Sequence, residues 1–309
     1  MTPHVAIIVL NWNNAIDTLA CLDSLAMIEY PVYSVLVVDN GSTDDSVAQI
    51  KAAWPRIEIL ATGKNLGYAG GNNVGIRHAL AQGADYVCIL NNDVTVAPDI
   101  LCELVGVAEE THAGIVGPVV LDAETPDRVQ SAGLRLNRLG DAMHLQAGEQ
   151  ASLAMMGHEP VDAVAGCAML VSAAVVAEVG VMDERFFMYR EEVDWCLRTG
   201  RAGFAVLAAR KARVWHRDTP EGGQRYVRAT YYMTRNAYLL MAKRRAPLVT
   251  RGRVLARDLL WVANWSVNPK WRHKRAERDA IAGALRDVVL GQFGKMPLDI
   301  ERVVYSSAR

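Results

Sequence analysis

The chain has 309 residues, enough for two ordinary domains or for one large α/β domain with an extension. A hydrophobic fraction of 51% and a charged fraction of 22% are typical of a folded globular protein. They exclude a disordered chain, a collagen-like repeat and a small disulfide scaffold. The net charge of −1 hides an asymmetry, because residues 1–220 carry 15 basic and 27 acidic side chains whereas residues 221–309 carry 18 and 7. The acidic part is not a nucleic-acid surface overall, whereas the basic part suits nucleic acid, an anionic membrane or an anionic substrate.

The cysteines and the apolar segments indicate where the protein works. Five cysteines form no C-x-x-C pair, so we expect free thiols in a reducing, cytoplasmic environment. No basic segment precedes the first apolar run, and that run is too short for a signal peptide. The longest nearly apolar stretch, residues 163–177, is shorter than the roughly 20 residues that cross a bilayer. The sequence therefore predicts no membrane-spanning segment and leaves a peripheral contact with the inner face of the cell membrane open.

Apolar runs alternate with helical patterns in the first part of the chain. Four runs are typical of strands that are covered on both faces: residues 5–10, 34–38, 57–60 and 86–90. Helical spacing separates the first two runs at residues 15–27, and a second helix, with Thr43 or Asp44 as its N-cap, is expected to reach Ala53. This order predicts an α/β fold with a mostly parallel sheet and helices on both of its faces.

Polar clusters follow three of the four predicted strands: residues 11–14, 39–44 and 91–93. Asparagine and aspartate suit turns in any protein, which is the plainer interpretation of one such cluster. Ligands of parallel sheets bind at the carboxyl ends of the strands, so three clusters at one edge favour a binding site. Asn91-Asn92-Asp93 is also a candidate metal site, since Mg²⁺ and Mn²⁺ prefer oxygen ligands.

A glycine-rich stretch at residues 65–73 is expected to form a loop ahead of a helix that ends at Gln82. It matches neither the G-x-G-x-x-G pattern of dinucleotide loops nor the G-x-x-x-x-G-K-[ST] pattern of nucleoside triphosphate loops. Its glycines would let the backbone approach a bulky ligand closely, although a plain flexible turn is the alternative.

The most specific segment is residues 186–198, which crowds acidic side chains among aromatic ones. On a helix Glu191 and Asp194 share a face at i, i+3, and Asp194 and Arg198 at i, i+4. A solvated face of salt bridges is the plainer interpretation. The flanking aromatic residues imply partial burial, and carboxylates in such a place tend to have raised pKa values that suit a general base.

The remaining residues carry weaker signals. Residues 122–160 look like an irregular excursion near a site, and His216 follows a short predicted strand at 204–208. Beyond residue 224 the chain is helical and basic. An amphipathic helix at 225–245 is either packed on the catalytic domain or in peripheral contact with a membrane, and the nearby Trp261, Trp265 and Trp271 suit an interface too. No nucleic-acid-binding module is recognisable, so we expect no nucleic-acid partner.

These segments together resemble glycosyltransferase family 2, and in particular the rhamnosyltransferase-type branch that builds bacterial cell-surface polysaccharide. The matching segments lie in the family's order within residues 5–245: 5–13, 37–44, 65–75, 90–93, 186–198 and 215–216. The resemblance implies an inverting enzyme with the GT-A fold, whose Rossmann-like sheet is flanked by helices. It implies a catalytic domain at 1–220, with a nucleotide-binding half at about 1–120 and an acceptor half at about 121–220, followed by a basic helical region at 221–309.

The resemblance also implies roles in binding the donor nucleotide sugar. Asp39 would accept a hydrogen bond from the base N–H, and Asn11 and Asn13 would line the binding site of the base and ribose. Further residues would line the side of the nucleotide sugar: Asn65, Gly67, Asn72 and Asn92.

The metal and the base are implied in the same way. Asp93 would bind a divalent cation, Mg²⁺ or Mn²⁺, as the last aspartate of the family's D-x-D motif, with Asn91 in place of the first aspartate. His216 matches a histidine that completes the metal site in some members. In the E-D-x-D-like motif Glu192 occupies the usual position of the base, and Glu191 and Asp194 are the alternatives.

The implied function is transfer of a sugar from a nucleoside diphosphate sugar to a hydroxyl of a saccharide or lipid-linked acceptor. Rhamnose carried by deoxythymidine diphosphate is the expected donor, with uridine diphosphate sugars as close alternatives. A nucleotide-sugar-binding protein without transfer activity is the competing hypothesis, against which the intact cluster of carboxylates speaks. An oxidoreductase or nucleotidyltransferase is disfavoured, because the chain lacks a dinucleotide loop and a phosphate-binding lysine. The oligomeric state stays open.

Overall fold

The computed structural model describes residues 1–151, 157–217 and 223–306. The chain divides into two compact units. The first comprises Met1–Arg135, Ala142–Asp183 and Glu192–Asp218, and the second comprises Leu136–Asp141, Glu184–Glu191 and Thr219–Arg309. The boundary predicted between residues 220 and 221 lies outside the described residues. Within the part of the chain that the structure describes, no helix combines the length and the apolar character needed to cross a membrane.

A ten-stranded sheet is the framework of the first unit. The described strands are, in chain order, β1 (Val5–Asn11), β2 (Tyr33–Asp39), β3 (Glu58–Ala61), β4 (Tyr86–Asn91), β5 (Val94–Val96), β6 (Ile115–Asp122), β7 (Val129–Ser131), β8 (Leu134–Leu136), β9 (Ala142–His144), β10 (His158–Pro160), β11 (Ala168–Ser172) and β12 (Val206–His216). The sheet order is β10-β12-β6-β11-β4-β1-β2-β3, with β5 paired to β12 and β7 to β6, whereas β8 and β9 form a separate pair.

The parallel arrangement that the sequence predicts holds for the four strands β3, β2, β1 and β4. The first five residues of β1 are wholly or almost wholly buried, as expected for a strand that is covered on both faces. Next to β4 the strand pairing changes from parallel to antiparallel, because β11 runs antiparallel to both of its neighbours, β4 and β6. The sheet as a whole is therefore mixed, and its parallel half carries the polar strand ends.

Six helices accompany these strands: α1 (Ala15–Leu25), α2 (Ser46–Ala53), α3 (Gly67–Ala81), α4 (Ile100–Thr111), α5 (Ala173–Val179) and α6 (Glu191–Arg201). The predicted end of α2 at Ala53 is correct, but its N-cap is Asp45 and not Thr43 or Asp44. The Asp44 carboxylate nevertheless accepts hydrogen bonds from the backbone N–H and the hydroxyl of Ser46, so it serves the first turn from one position farther out.

The expected glycine-rich loop at residues 65–73 is wrong, because α3 already begins at Gly67. The reason is the close approach of this helix to the sheet. A Cβ at Gly71 would lie 2.6 Å from Leu10 Cδ1, and a Cβ at Gly75 would lie 2.6 Å from Ile8 Cγ2. These glycines therefore serve helix–sheet packing and do not provide loop flexibility.

The second unit is helical and contains α7 (Gly223–Lys243), α8 (Leu248–Val267), α9 (Arg275–Leu290) and α10 (Leu298–Ser306). In α7 Tyr231 and Tyr232 are almost fully buried and belong to one apolar cluster with Ala280 of α9. This face of residues 225–245 therefore packs on α9 of the same unit, a partner that neither interpretation from the sequence named.

Candidate active site

The strand register brings the polar clusters of the sequence together. Asn11 of β1 lies beside Asp39 of β2, and Leu10 lies beside Asn91 of β4. Asn11, Asp39 and Asn91 therefore sit within one residue of each other along the same edge of the sheet. This edge is the carboxyl end of the parallel strands, where ligands of such sheets bind.

The Asp39 carboxylate is held in place by hydrogen bonds to both of its oxygens. The Asn11 side-chain amide donates to Asp39 Oδ1 at 3.0 Å, and the backbone N–H of Ser42 donates to Asp39 Oδ2 at 3.2 Å. Asn11 and Asp39 are both buried. A carboxylate has about four lone-pair sites, so Asp39 retains room to accept from a ligand N–H.

Asn13 and Asn92 brace the backbone around this carboxylate. Asn13 adopts a left-handed φ of 51°, and its side-chain oxygen accepts from the Thr43 N–H at 2.8 Å. Asn92 donates from its side chain to the Thr18 hydroxyl at 3.0 Å and to the Asn14 carbonyl at 3.3 Å. These two amides therefore tie the loops after β1 and β4 to their neighbours.

The start of α3 is shaped by Asn65, Gly67 and a residue that the sequence did not single out, Asn40. The Asn65 side-chain oxygen accepts from the Gly67 N–H at 2.8 Å, and Gly67 has a φ of +77°. The Asn40 side chain accepts from the Leu66 N–H and donates to the Gly67 carbonyl at 3.0 Å. Its one signal in the sequence is its place directly after Asp39.

Asn72 lies farther along α3 and is wholly buried. Its side-chain amide donates to the Tyr68 carbonyl at 3.0 Å. Its side-chain oxygen is also buried and has no hydrogen-bond partner among the described residues. Full burial makes Asn72 a less direct candidate for ligand contact than Asn65, which is partly exposed.

Asn91, Asp93 and His216 form the candidate metal position. The Oδ1 atoms of Asn91 and Asp93 are both buried and lack hydrogen-bond partners within the described ranges. His216 Nε2 lies 3.3 Å from Asp93 Oδ1 without hydrogen-bond geometry, and its Nδ1 lies 3.0 Å from Gln130 Oε1. The histidine is the last residue of β12, so the strand predicted to end at residue 208 runs eight residues farther.

The donor set at this position is small. In the portion of the chain that the structure covers, no group of three or more histidine, cysteine, aspartate or glutamate side chains could hold a metal ion. Asp93 and His216 supply two such groups, and the Asn91 amide oxygen supplies a third donor of another kind. The buried Oδ1 atoms of Asn91 and Asp93 suit a hard divalent cation that takes its further ligands from phosphate and water.

Glu192 of α6 lies next to a short segment at residues 166–167. A Cβ at Gly166 would lie 3.2 Å from Glu192 Cγ, and the backbone carbonyl of Cys167 accepts from the Asn91 N–H at 2.9 Å. Burial raises the pKa of the Cys167 thiol to about 12, and the carboxylates of Asp93 and Glu192 contribute to that rise. The carboxylates of Asp93 and Glu192 are therefore both near this thiol.

The other two carboxylates of the acidic motif have different surroundings. Asp194 Oδ2 accepts from Arg198 Nε at 2.8 Å, and the same guanidinium donates to the carbonyls of Val179 and Val181. Asp194 is thus engaged in holding the segment after α5. Glu191 is buried and belongs to the second unit, so of the three carboxylates Glu192 is the one that is partly exposed in the first unit.

The backbone directly before Glu191 is strained and is held by α7. Phe187, Tyr189 and Arg190 all have φ values between 66° and 73°, in the left-handed region that these residue types rarely adopt. The Asn236 side-chain amide donates to the carbonyls of Phe186, Met188 and Tyr189 at 2.8–2.9 Å. No sequence motif identifies Asn236 as a functional residue. The only indication in the sequence is that a polar residue lies on the buried face of an amphipathic helix.

Comparisons with known proteins identify the family of this chain. Residues 6–176 match the family described as Glycosyl transferase family 2. The chain is 30% identical to the N-acetylglucosaminyl-diphospho-decaprenol L-rhamnosyltransferase of Mycobacterium tuberculosis over 78% of this chain and 87% of that one. It is 26% identical to the dTDP-rhamnosyl transferase RfbF of Shigella flexneri over 70% and 73%. The low-salt glycan biosynthesis hexosyltransferase Agl10 of Haloferax volcanii is 27% identical over 67% of this chain, which spans 64% of that relative.

Solved structures show the same fold at low sequence identity. The mannosyltransferase PcManGT from Pyrobaculum calidifontis superposes with a TM-score of 0.59 at 15% identity, over 94% of this chain and 88% of that one. GalNAc-T7 superposes with a TM-score of 0.60 at 14% identity, over 77% and 51%. The predicted GT-A fold and the predicted kind of enzyme, a glycosyltransferase, are confirmed. The chain belongs to glycosyl transferase family 2.

Proposed function

We propose that this protein is an inverting glycosyltransferase of cell-surface glycan synthesis. It transfers a sugar, rhamnose in our assignment, from a nucleoside diphosphate to a hydroxyl of a saccharide or lipid-linked acceptor. The observation that carries the proposal is that Glu192 packs against Gly166 while the next residue, Cys167, accepts from the Asn91 N–H beside the polar ends of β1, β2 and β4. Two relatives whose names specify rhamnosyl transfer support the choice of sugar, and one of these names contains a lipid diphosphate.

The donor nucleotide binds at the edge formed by Asn11, Asp39 and Asn13. Asp39 accepts from the N–H of the base, since Asn11 and the Ser42 backbone hold its carboxylate in a fixed direction. Asn13 and Asn92 keep the walls of this site in place. Asn65, Gly67 and Asn72 contribute the side formed by the first turns of α3.

Asn91, Asp93 and His216 hold a divalent cation, Mg²⁺ or Mn²⁺. The fit rests on the two buried oxygens of Asn91 and Asp93, which have no hydrogen-bond partners among the described residues. When bound, such a cation neutralises charge on the leaving diphosphate. The Asn91 amide brings one negative charge fewer than an aspartate would, so we expect modest metal affinity.

Glu192 is the catalytic base. Its partly exposed carboxylate takes the proton of the acceptor hydroxyl while that oxygen attacks the anomeric carbon from the face opposite the diphosphate. One displacement of this kind inverts the anomeric configuration. Glu191 and Asp194 are the alternative bases, but Asp194 is already engaged by Arg198.

We assign the catalytic work to residues 1–220, with the nucleotide half at about 1–120 and the acceptor half at about 121–220. The basic helical region at 221–309 supplies no residue that we assign to catalysis or donor binding. A cytoplasmic enzyme that contacts the inner face of the membrane peripherally fits this division.

Donor screening followed by transfer assays tests the proposal. Nucleoside diphosphate sugars are added with Mn²⁺ or Mg²⁺, and a ligand at about 100 Kd stabilises the protein by about 2.7 kcal/mol in thermal unfolding. The stabilising donor is then supplied in radiolabelled form with lipid-linked and free saccharide acceptors. We expect labelled product with inverted configuration. Stabilisation without transfer to any acceptor or to water would favour a protein that only binds nucleotide sugars.

A further inference from the structure

Helix α8 leaves a row of large apolar side chains in contact with solvent. Six of them are between 42% and 81% exposed: Leu248, Val249, Leu255, Leu259, Leu260 and Val267. We call this set the α8 face. A soluble surface normally carries such residues singly, and a contiguous apolar patch marks an interaction site.

The helix is attached to its unit by a narrow strip. Its two buried residues are Val254, which packs with Met241 and Ala246, and Asp258, which accepts from the Tyr238 hydroxyl at 2.8 Å. These contacts hold α8 firmly while the remainder of its circumference stays open. The exposure of the α8 face is therefore a property of the folded unit and does not result from a detached helix.

The members of the α8 face line up along the helix. Leu248, Leu255 and Leu259 recur at the spacing of one helical stripe, and Val249, Leu260 and Val267 lie on the stripe beside it. Twenty residues at a rise of 1.5 Å make the row about 30 Å long. A row of this length suits a flat apolar surface better than a small pocket.

Aromatic side chains lie on the other side of α8, because Trp261 and Trp265 follow the buried Val254 and Asp258 at i+7 and share their stripe. The Trp261 and Trp265 rings stack with centroids 5.9 Å apart, and Trp271 lies 6.4 Å from Trp265. Lys270 lies over the Trp271 ring, and Arg272 next to it is exposed. This aromatic and basic cluster is therefore separate from the α8 face and lies at the end of the helix.

The charged residues near the α8 face indicate which kind of ligand it binds. The one acidic residue of α8 is Asp258, which is buried and paired with Arg257 and Tyr238. The short segment after α8, Pro269–Lys274, carries three basic residues and a histidine but no acidic residue. On the helix itself the exposed Arg253 borders the row, at i+4 from Val249. An apolar row beside a cation and without exposed acidic residues matches acyl chains beneath anionic headgroups, since each basic residue near such a surface adds attraction.

We propose that the α8 face is a membrane-docking surface that lies in the interface of an anionic bilayer, with Arg253 beside the face and the basic segment Pro269–Lys274 at the end of the helix adding attraction to the headgroups. The occupant is a lipid surface and not a second protein. This surface belongs to the second unit alone, and its role does not depend on the identity of the sugar or of the acceptor. It differs from the contact suggested by the sequence at 225–245, because the α7 face that carries Tyr231 and Tyr232 is packed against α9.

Vesicle flotation of the full-length protein tests the proposal. The probes are vesicles of phosphatidylcholine alone and of phosphatidylcholine mixed with phosphatidylglycerol, each at low and high salt. We expect binding to the mixed vesicles that weakens at high salt, because screening removes the headgroup attraction. The triple variant Leu255→Gln/Leu259→Gln/Leu260→Gln should reduce partition on the order of a hundredfold. Lys270→Gln/Arg272→Gln should reduce it about thirtyfold, at about 1 kcal/mol for each charge.

Matched variants on the first unit distinguish binding through the α8 face from non-specific binding of the protein to vesicles. Ile16→Gln/Met27→Gln removes two exposed apolar side chains, and Lys51→Gln/Arg56→Gln removes two exposed bases. Both should float as the unchanged protein does. Thermal unfolding monitored by circular dichroism should be the same for all variants, because every substituted side chain is exposed.

Two results would overturn the proposal. One is failure of the unchanged protein to bind mixed vesicles, or binding that the α8 variant does not weaken. The other is concentration-dependent self-association in sedimentation that the α8 variant abolishes while vesicle binding stays absent, which would assign the α8 face to a second copy of the chain.

Discussion

Gly166 packs directly against Glu192, such that a Cβ on residue 166 would lie 3.2 Å from Glu192 Cγ. That separation is tighter than ordinary van der Waals contact, so any side chain at 166 would push the carboxylate aside. The Gly166 carbonyl in turn accepts from the Tyr68 hydroxyl at 2.5 Å, which connects this position to α3. The absence of a side chain at Gly166 is therefore part of what sets the position of the proposed base.

Replacing Glu192 by glutamine should lower kcat by about 10²–10⁴, because that is the usual contribution of a positioned general base. The donor Kd should stay unchanged, since the amide preserves the size of the side chain. Gly166→Ala should lower kcat by a smaller factor through displacement of Glu192. Steady-state kinetics and donor titration check both, with the exposed Glu178→Gln on α5 as the matched control. A fully active Glu192→Gln enzyme would remove Glu192 from the role of base.

Two substitutions at the metal position should change the binding of the cation in opposite directions. Asp93→Ala should weaken donor binding that depends on Mn²⁺ or Mg²⁺, because it removes the one carboxylate of the candidate donor set. Asn91→Asp should tighten the binding of the cation, since it adds a second carboxylate where an amide oxygen now lacks a partner among the described residues. Titration of Mn²⁺ in the presence of donor measures both. The exposed Glu124→Ala is the control, and identical titrations for all variants would contradict the assignment.

Asn236 should position the backbone ahead of α6. Asn236→Asp leaves a group of similar size that cannot donate to the three carbonyls of residues 186, 188 and 189. We expect a loss of about 1–3 kcal/mol in the free energy of unfolding, because the carbonyls of Met188 and Tyr189 lose this donor, whereas the Phe186 carbonyl keeps a bond from Arg235. Because the strained segment leads into Glu191, we also expect kcat to fall with little change in donor Kd.

Chemical denaturation and the split between kcat and donor Kd measure these effects. Asn264→Asp on the exposed side of α8 serves as the control, since it makes the same change in a solvated position. Equal stability and kinetics for Asn236→Asp and Asn264→Asp would show that the α7 contacts do not set the conformation of the segment before α6.

The sequence predicted the parallel half of the sheet well, because the signal was local. Continuous apolar runs such as residues 5–10 indicate strands covered on both faces, and the polar residues at their ends mark the edge at which they finish. The meeting of Asn11, Asp39 and Asn91 then follows from parallel pairing. Order along the chain was thus enough to place three of the candidate site residues together.

Other features depended on contacts that no local pattern records. The glycines of α3 suggested a loop, although the side chains of Leu10 and Ile8 require them for close packing. The length of β12 was underestimated because charged residues interrupt its apolar pattern, and β5 and β6 pair with it beyond that interruption. Asn236 was missed because its partners are backbone carbonyls, which have no sequence signature.

Thiol reactivity should separate Cys102 from the other four cysteines. Burial raises the pKa of Cys21, Cys88, Cys167 and Cys196 to about 12, so these thiols stay protonated at mildly alkaline pH. Cys102 is exposed, and although burial of part of the group also raises its pKa, its thiolate fraction grows as the pH rises. Alkylation with iodoacetamide followed by peptide mass spectrometry should find Cys102 modified in the native protein and all five cysteines modified after unfolding. Cys167 is partly exposed, so its early modification would show that the raised pKa does not protect a thiol near Asp93 and Glu192.

The packing of α3 on β1 gives a stability prediction with an internal control. A Cβ at Gly75 would lie 2.6 Å from Ile8 Cγ2 and 2.9 Å from Val38 Cγ2, and both of these side chains are branched and buried. Gly75→Ala should therefore destabilise the protein by about 1–3 kcal/mol through overpacking. Gly106 lies within α4, where a Cβ would meet no described atom within 4 Å, so Gly106→Ala should be neutral or stabilise by up to about 1 kcal/mol. Denaturant midpoints of the two variants measure the difference, and a stable Gly75→Ala protein would mean that α3 shifts away from the sheet at little cost.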